Sequence, residues 1–200
     1  AKFVSTVDLV MKELKLESAS LVGNSLGGAV AWESALAMNE KIDSLVLLAP
    51  SGAPRKMKAS SNIGFKLLAS PVGPFLIKRF TPRFIIKASI EQTVFKPSLI
   101  TEKTVDRYWE LLRLKGNRQA MLDLANTTKR KDAWRDLHNI HQPTLIIWGR
   151  EDNLLTVDMA ATFEEEMPNS SLVVLDDTGH LPMEESTQRV ANLILKFMAL

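Results

Sequence analysis

Short apolar runs alternate with segments of helical periodicity at both ends of the chain. The apolar runs cover residues 19–22, 42–49, 144–148 and 171–175. Hydrophobic residues recur at helical spacing before the first run, at Phe3, Val7, Val10, Met11 and Leu14. Helix-forming stretches follow at residues 26–38 and at about 185–198. Strands that alternate with helices in this way predict a parallel sheet covered by helices, with about four strands present.

The middle of the chain, residues 51–135, has a different pattern. It lacks strand periodicity and is interrupted by prolines, namely Pro54, Pro71, Pro74, Pro82 and Pro97. Helical patches are predicted near residues 62–69, 75–80, 84–95, 101–115 and 117–131. We therefore predict an α/β core formed by residues 1–50 and 136–200, with a helical insertion over residues 51–135.

A glycine-rich turn joins the first apolar run to the helix after it, in the sequence Gly23-Asn24-Ser25-Leu26-Gly27. Gly-x-Ser-x-Gly between a strand and a helix is typical of a nucleophile elbow, whose tight turn holds the serine in a strained backbone conformation. We expect a Cβ atom at Gly23 or Gly27 to clash with neighbouring backbone. The turn would expose Oγ of Ser25 and aim the N–H of Leu26 at a developing oxyanion. A glycine-rich turn with a solvated serine has the same pattern, so the motif alone leaves both interpretations open.

A catalytic serine needs a general base, and the base needs an orienting carboxylate. His180 follows the last apolar run, on a turn before the final helix. Asp152 follows the run at 144–148 within Gly-Arg-Glu-Asp. Serine, acid and histidine therefore each come after a strand of the predicted parallel sheet, at the end where catalytic groups collect.

Other side chains compete for the roles of acid and base. Glu151 adjoins Asp152 and is the alternative acid. Asp176 and Asp177 lie very close to His180 in sequence, so we expect them to cap or solvate the turn. The remaining histidines, His138 and His141, precede a proline in a linker and are interpreted as surface or hinge residues.

On these motifs the chain resembles the α/β-hydrolase family over nearly its whole length. The matching segments are residues 23–28, the strand with Gly-x-x-Asp at 144–152, and Gly-His at 179–180 followed by Glu184. The resemblance implies an α/β-hydrolase-type parallel sheet. It also implies that residues 51–135 form a helical cap, or lid, over the active site.

The resemblance also assigns roles residue by residue. Ser25 would be the nucleophile, His180 the general base and later the acid, and Asp152 the group that fixes the histidine tautomer. Leu26 would supply one oxyanion N–H, and Gly23, Asn24 and Gly27 would form the elbow around the serine.

The implied activity is hydrolysis of a carboxylic ester with a lipophilic acyl or alcohol group, through an acyl-enzyme and without cofactor or metal. One alternative is a carbon–carbon bond hydrolase of ring-cleavage products, whose elbow looks similar. Those relatives usually carry Trp after the histidine, where this chain has Leu181. A second alternative is a non-catalytic member or fragment that binds a ligand or partner. Dehalogenases and epoxide hydrolases of this fold use Asp at the elbow, so Ser25 argues against both.

The family pattern includes strands that this sequence does not show. Members begin with about four strands before the elbow, and a His-Gly-rich loop after the third supplies a second oxyanion donor. Only one predicted helix precedes residues 19–22 here, so we expect the C-terminal two thirds of a hydrolase and poor activity of this chain alone. The strand at 19–22 would then form an exposed edge, which a missing N-terminal segment or a second copy could complete.

The insertion has a charge pattern of its own. The chain has a formal net charge of +2, whereas residues 51–100 contain nine basic residues against the single acid Glu91. Apolar residues are interleaved with these charges, as in segments that lie on a membrane surface. The alternative is a lid that packs its apolar side on the substrate pocket and exposes its charged side chains to water. Localisation stays open between the cytoplasm and the membrane periphery.

Composition excludes several other classes of protein. With 200 residues and 46% hydrophobic content the chain can bury one sizeable core, and the absence of cysteine excludes disulfides. No apolar run approaches the length of a membrane-spanning helix. We expect no nucleic-acid partner, because there is a single tyrosine and no recognition motif. We also find no metal-ligand cluster and no phosphate-binding loop.

Overall fold

Four parallel strands form the sheet in the part of the chain that the structure describes. The computed structural model describes residues 2–54, 62–70, 72–125 and 132–199. The strands lie side by side in chain order, as β1 (Ala19–Asn24), β2 (Ile42–Leu48), β3 (Thr144–Gly149) and β4 (Ser170–Leu175). Each apolar run forms the predicted strand, and the parallel α/β sheet is confirmed.

Helices connect the strands and fill the insertion. Their bounds are α1 (Lys2–Glu13), α2 (Leu26–Ala37), α3 (Ile63–Ala69), α4 (Gly73–Arg79), α5 (Arg83–Glu91), α6 (Glu102–Arg113), α7 (Asn117–Ala125), α8 (Asp158–Glu166), α9 (Pro182–Glu185) and α10 (Thr187–Met198). Short 3-10 helices, absent from the prediction, cover Asn39–Lys41, Pro97–Leu99 and Ala133–Asn139. Residues 126–131, predicted as the end of a helix, lie outside the described residues.

Two apolar layers cover the faces of the sheet, because alternate residues of a strand point to opposite faces. On one face Leu45, Leu47, Ile146 and Trp148 pack with residues of α2 and α8. On the other face Val46, Leu48, Leu145 and Ile147 pack with residues of α10. β2 and β3 read as nearly continuous aliphatic runs because a parallel sheet buries both of its faces.

The insertion contributes a third apolar cluster that includes a residue of the histidine loop. Ile90, Val94, Ile100 and Val105 of the insertion are buried together with Leu181, which follows His180. Ion pairs fasten α5 to α6 beside this cluster: Arg83 contacts Asp106 and Glu102 at 2.6 Å, and Lys87 contacts Glu102 at 2.7 Å. α5, α6 and the segment between them are therefore packed against the part of the core that carries the histidine.

These ion pairs divide the basic residues of the insertion into two groups. Hydrogen bonds from Lys87 and Arg83 lower the pKa of Glu102, and those to Asp106 and Glu102 raise the pKa of Arg83. Lys66, Lys78 and Arg79 are exposed and make no ion pair with any residue that the structure describes. Arg55, Lys56 and Lys58, which belong to the predicted basic stretch, lie outside the described residues.

β1 lies at one edge of the sheet and pairs with β2 alone among the described strands. Val22 in this strand is 54% exposed although it is a large aliphatic residue. The exposed edge predicted for this strand is thus present in the structure.

No helix within the described residues is both long and apolar enough to cross a membrane.

Candidate active site

Ser25 occupies a strained turn between β1 and α2. Its φ and ψ angles are 53° and −115°, a combination that is costly for a residue with a side chain. The surrounding backbone holds this turn in place, because Ser25 N donates to Leu48 O at 2.9 Å and Ser25 O accepts from Ser51 N at 3.0 Å. The structure therefore has the local strain that a nucleophile elbow requires.

Of the two glycines beside Ser25 at which a clash is expected, only Gly23 is crowded by neighbouring backbone. A Cβ atom on Gly23 would lie 2.3 Å from Gly27 O, so the strand and helix cross too closely for any side chain there. The same expectation for Gly27 is wrong, since a Cβ atom at Gly27 meets nothing within 4 Å. Gly28 is the second crowded position, where a Cβ atom would lie 2.7 Å from Pro50 Cβ.

Leu26 is the first residue of α2. The first N–H groups of a helix have no intrahelical acceptor and carry the positive end of the helix dipole. The N–H of Leu26 therefore has the electrostatic character that an oxyanion donor needs. Its role in binding an oxyanion stays a prediction.

His180 and Asp152 are in direct contact. Nδ1 of His180 lies 2.7 Å from Oδ2 of Asp152, and both residues are only 3% exposed. The other carboxylate oxygen, Oδ1, accepts hydrogen bonds from the N–H groups of Leu154 and Leu155, each at 2.8 Å. One oxygen of Asp152 is thus fixed by its own loop, and the second is directed at the imidazole.

The competing acids have other partners. Glu151 accepts a hydrogen bond from Thr178 N at 3.0 Å. Asp176 pairs with Arg150, which lowers the pKa of that carboxyl, and Asp177 pairs with Lys96 at 3.3 Å. The geometry therefore brings Asp152, and not its neighbour or the acids of the histidine loop, to His180.

Asn24 links the serine turn to the histidine loop. Its Nδ2 donates to Leu48 O at 3.0 Å and to His180 O at 3.2 Å. The residue before Ser25 is thereby bonded to the backbone of the histidine, so the two loops meet. Among the described residues, however, no hydrogen bond joins Ser25 Oγ to the His180 ring.

A turn of the insertion supports the histidine loop, and sequence reasoning missed it. The sequence pattern predicts a helix over residues 84–95, but α5 ends at Glu91. Thr93 then bonds its own hydroxyl to Ile90 O at 2.7 Å, and its carbonyl accepts from His180 N at 2.8 Å. Pro97, shortly beyond, was the available signal that this helix ends early.

The two remaining histidines lie away from this contact. His138 is exposed on the 3-10 helix Ala133–Asn139, where a plain linker was expected. His141 is exposed, and its carbonyl accepts a hydrogen bond from Asn169. Across the described ranges, no group of three or more His, Cys, Asp or Glu side chains could hold a metal ion.

Comparison with known proteins identifies relatives over nearly the whole chain. A model of the alpha/beta hydrolase family matches residues 3–193. A 2-hydroxy-6-oxononadienedioate/2-hydroxy-6-oxononatrienedioate hydrolase of Burkholderia vietnamiensis is 29% identical over 195 residues, covering 94% of this chain and 65% of that protein. The chain thus spans slightly less than two thirds of that relative.

Solved structures have the same fold. The 2-hydroxy-6-oxo-6-phenylhexa-2,4-dienoate hydrolase of Rhodococcus sp. strain RHA1 is similar with a TM-score of 0.81 at 21% identity, covering 98% of this chain and 69% of that chain. A bacterial membrane phospholipase A is similar with a TM-score of 0.78 at 20% identity, covering 98% of this chain and 61% of that one. At these identities the likeness establishes the fold alone.

Proposed function

Because the chain belongs to the alpha/beta hydrolase family, we propose that it is a serine hydrolase in which Ser25, His180 and Asp152 form the catalytic triad. The observation that carries this proposal is the buried contact of 2.7 Å between Nδ1 of His180 and Oδ2 of Asp152. The strained turn at Ser25 and the bond from Asn24 to the backbone of His180 support it.

In the proposed reaction Ser25 Oγ attacks the carbonyl carbon of the substrate while its proton passes to Nε2 of His180. The N–H of Leu26 stabilises the negative charge that develops on the carbonyl oxygen. His180 then protonates the leaving group, and a water molecule activated by the same histidine releases the acyl group from Ser25. Asp152 accepts a hydrogen bond from Nδ1–H of His180 throughout, which places the lone pair of the neutral imidazole on Nε2.

We propose carboxylic esters with a lipophilic acyl or alcohol part as the substrate class. The insertion, which we propose acts as a cap, supports this choice because it carries exposed apolar side chains such as Phe80, Phe84 and Phe95. Leu181 supports it as well, since ring-cleavage product hydrolases usually carry Trp at this position.

An equally supported alternative is hydrolysis of a carbon–carbon bond in a ring-cleavage product. The name of the Burkholderia protein favours it, because it describes a hydrolase of a 2-hydroxy-6-oxo dienedioate and trienedioate. The same three residues would serve either reaction, with a carbanion in place of an alkoxide as the leaving group.

The test compares both substrate classes on one set of variants. Wild type is assayed with short- and long-chain esters, with a 2-hydroxy-6-oxo dienoate, and by fluorophosphonate labelling. We expect Ser25→Ala and His180→Ala to lose roughly 10⁶ in turnover and Asp152→Asn roughly 10⁴. The exposed residues Ser171 and His138 provide matched controls, and their alanine variants should keep wild-type rates.

The outcome also separates the catalytic proposal from a binding role. Near-normal turnover in Ser25→Ala would exclude the mechanism. A wild-type protein that binds ester or dienoate but is neither labelled nor active would indicate a non-catalytic member of the family.

We also propose peripheral contact with anionic membranes through α4. Phe75 is 72% exposed and lies three and four residues before Lys78 and Arg79, so the aromatic ring and both cations share one helix face. Arg83 is not part of this surface, because it is engaged by Glu102 and Asp106. Binding to anionic but not neutral vesicles, weakened by salt and by reversing Lys78 and Arg79, would support the proposal.

A further inference from the structure

The carboxylate of Glu185 accepts hydrogen bonds from three backbone N–H groups. Oε1 accepts hydrogen bonds from Gly179 N at 2.9 Å and from Leu181 N at 3.3 Å. Gly179 and Leu181 are the residues on either side of His180. Oε2 receives Phe95 N at 2.7 Å, from the turn of the insertion that follows α5. One side chain therefore connects the histidine loop to the insertion. Hydrogen bonds to a charged acceptor are shorter and stronger than those between neutral groups.

The backbone of the histidine loop packs directly against the turn that follows α5. His180 N donates to Thr93 O at 2.8 Å. A Cβ atom on Gly179 would lie 2.7 Å from both Thr93 O and Phe95 N, so only glycine fits beside this turn. The turn and Glu185 thus hold the histidine backbone from the side of the insertion, in addition to the bond from Asn24 to the His180 carbonyl.

We infer that Glu185 is a positioning residue for His180, and that through it the insertion sets the orientation of the catalytic imidazole. The inference rests on the proposed function, in which His180 is the general base. Productive geometry in such sites requires groups to be held within about 0.5 Å and 10–20°. The contact of 2.7 Å between His180 and Asp152 fixes Nδ1. Because the imidazole is rigid, the position of the backbone that carries it then determines where Nε2 lies.

The neighbouring glutamate provides a natural control. Glu184 lies in the same turn, but its carboxylate pairs with Arg107 on α6 and accepts no hydrogen bond from the backbone beside His180 within the described structure. The two glutamates have the same side chain and adjacent positions, but only Glu185 accepts hydrogen bonds from the backbone beside His180.

The test replaces each glutamate by glutamine in the full chain. Glu185→Gln keeps the size and shape of the side chain but replaces one carboxylate oxygen by an NH₂ group. Because both oxygens accept hydrogen bonds from backbone N–H groups, and an NH₂ group cannot accept one, at least one of these hydrogen bonds is lost. We expect kcat and the rate of fluorophosphonate labelling to fall by roughly 10²-fold, with KM nearly unchanged. Glu184→Gln should stay at wild-type values. In NMR spectra, the signal of the Nδ1 proton of His180 should shift or broaden in Glu185→Gln only.

Stability and activity are measured separately on the same samples. If Glu185→Gln only lowers the melting temperature, while the folded protein keeps wild-type labelling and the His180 proton signal, the inference is overturned and the proposed function stands. If His180→Ala itself retains wild-type activity, both fail. Partial recovery by Glu185→Asp, which keeps the carboxylate, would support the positioning role.

Discussion

The serine loop and the histidine loop meet at the same end of the sheet but are held by different parts of the chain. The turn at Ser25 is fixed by β1, β2 and α2, and its closest packing is the backbone of Gly23 against Gly27. The loop at His180 is bonded by Asn24 and Glu151 of the core. It is also held by Thr93 and by Phe95 through Glu185, and these two residues lie some 90 residues away in sequence. The geometry of the nucleophile is therefore set locally, whereas the geometry of the base also depends on contacts with the insertion.

The largest expected effect concerns the local loop. Gly23→Ala should destabilise the fold by about 3 kcal/mol or more, because its Cβ would overlap the Gly27 carbonyl and backbone must move. Gly27→Ala places a Cβ in open space within a helix and should be neutral or stabilise by up to about 1 kcal/mol. Urea denaturation of both variants gives the two values. Equal destabilisation by the two substitutions would contradict the local account of the elbow.

The second prediction concerns the loop that depends on the insertion. Leu181→Ala should cost about 2–4 kcal/mol, since Leu181 is buried among residues of the insertion. Proteolysis should then cut the insertion faster than the rest of the chain, because Leu181 is shared between the two. Leu195→Ala is the matched control, with a side chain that is 68% exposed and an expected change within about 0.5 kcal/mol. A Leu181→Ala variant as stable as Leu195→Ala would indicate that the histidine loop does not need the insertion.

The smallest expected effect concerns the ion pairs that join α5 to α6. Lys87 and Arg83 lower the pKa of Glu102 from its ordinary value of 4.5. The ionised Glu102 therefore contributes to the stability of the fold above pH 4.5, and this contribution is lost as the pH falls below that value. Glu102→Gln should lower the melting temperature at neutral pH by no more than about 2 °C. The difference from wild type should vanish in acid and shrink in high salt. A difference that grows on acidification would have the wrong sign for this cause.

The strands and the elbow were predictable because their signals are short in sequence. Apolar runs predicted β1 to β4, and the spacing around Ser25 predicted the turn, since both depend on neighbours within a few residues. The choice of Asp152 over Glu151 also agrees with the observed contact of Asp152 with His180.

The supports of the histidine were not predictable in the same way. Periodicity continued the helix through residues 92–95, whereas packing against the loop of His180 requires a turn there. Nothing in the local sequence distinguishes Glu185 from Glu184, although only Glu185 bonds to the backbone beside the histidine. The assignment of Gly27 as a crowded position was wrong for a related reason, because steric room depends on the crossing of the strand and the helix.

The position of β1 at the edge of the sheet has a consequence for the order in which the molecule opens. β2 and β3 pair with a strand on both sides, whereas β1 pairs in the described structure with β2 alone. Amide hydrogens of β1 should therefore exchange with solvent faster than those of β2 and β3, through local opening that leaves the rest folded. Since β1 carries Ser25 at its end, activity would be lost on warming before the global transition. Another strand paired to that edge, from a preceding segment or a second copy of the chain, would slow this exchange. The geometry at Ser25 would then be lost on warming only when the core itself unfolds.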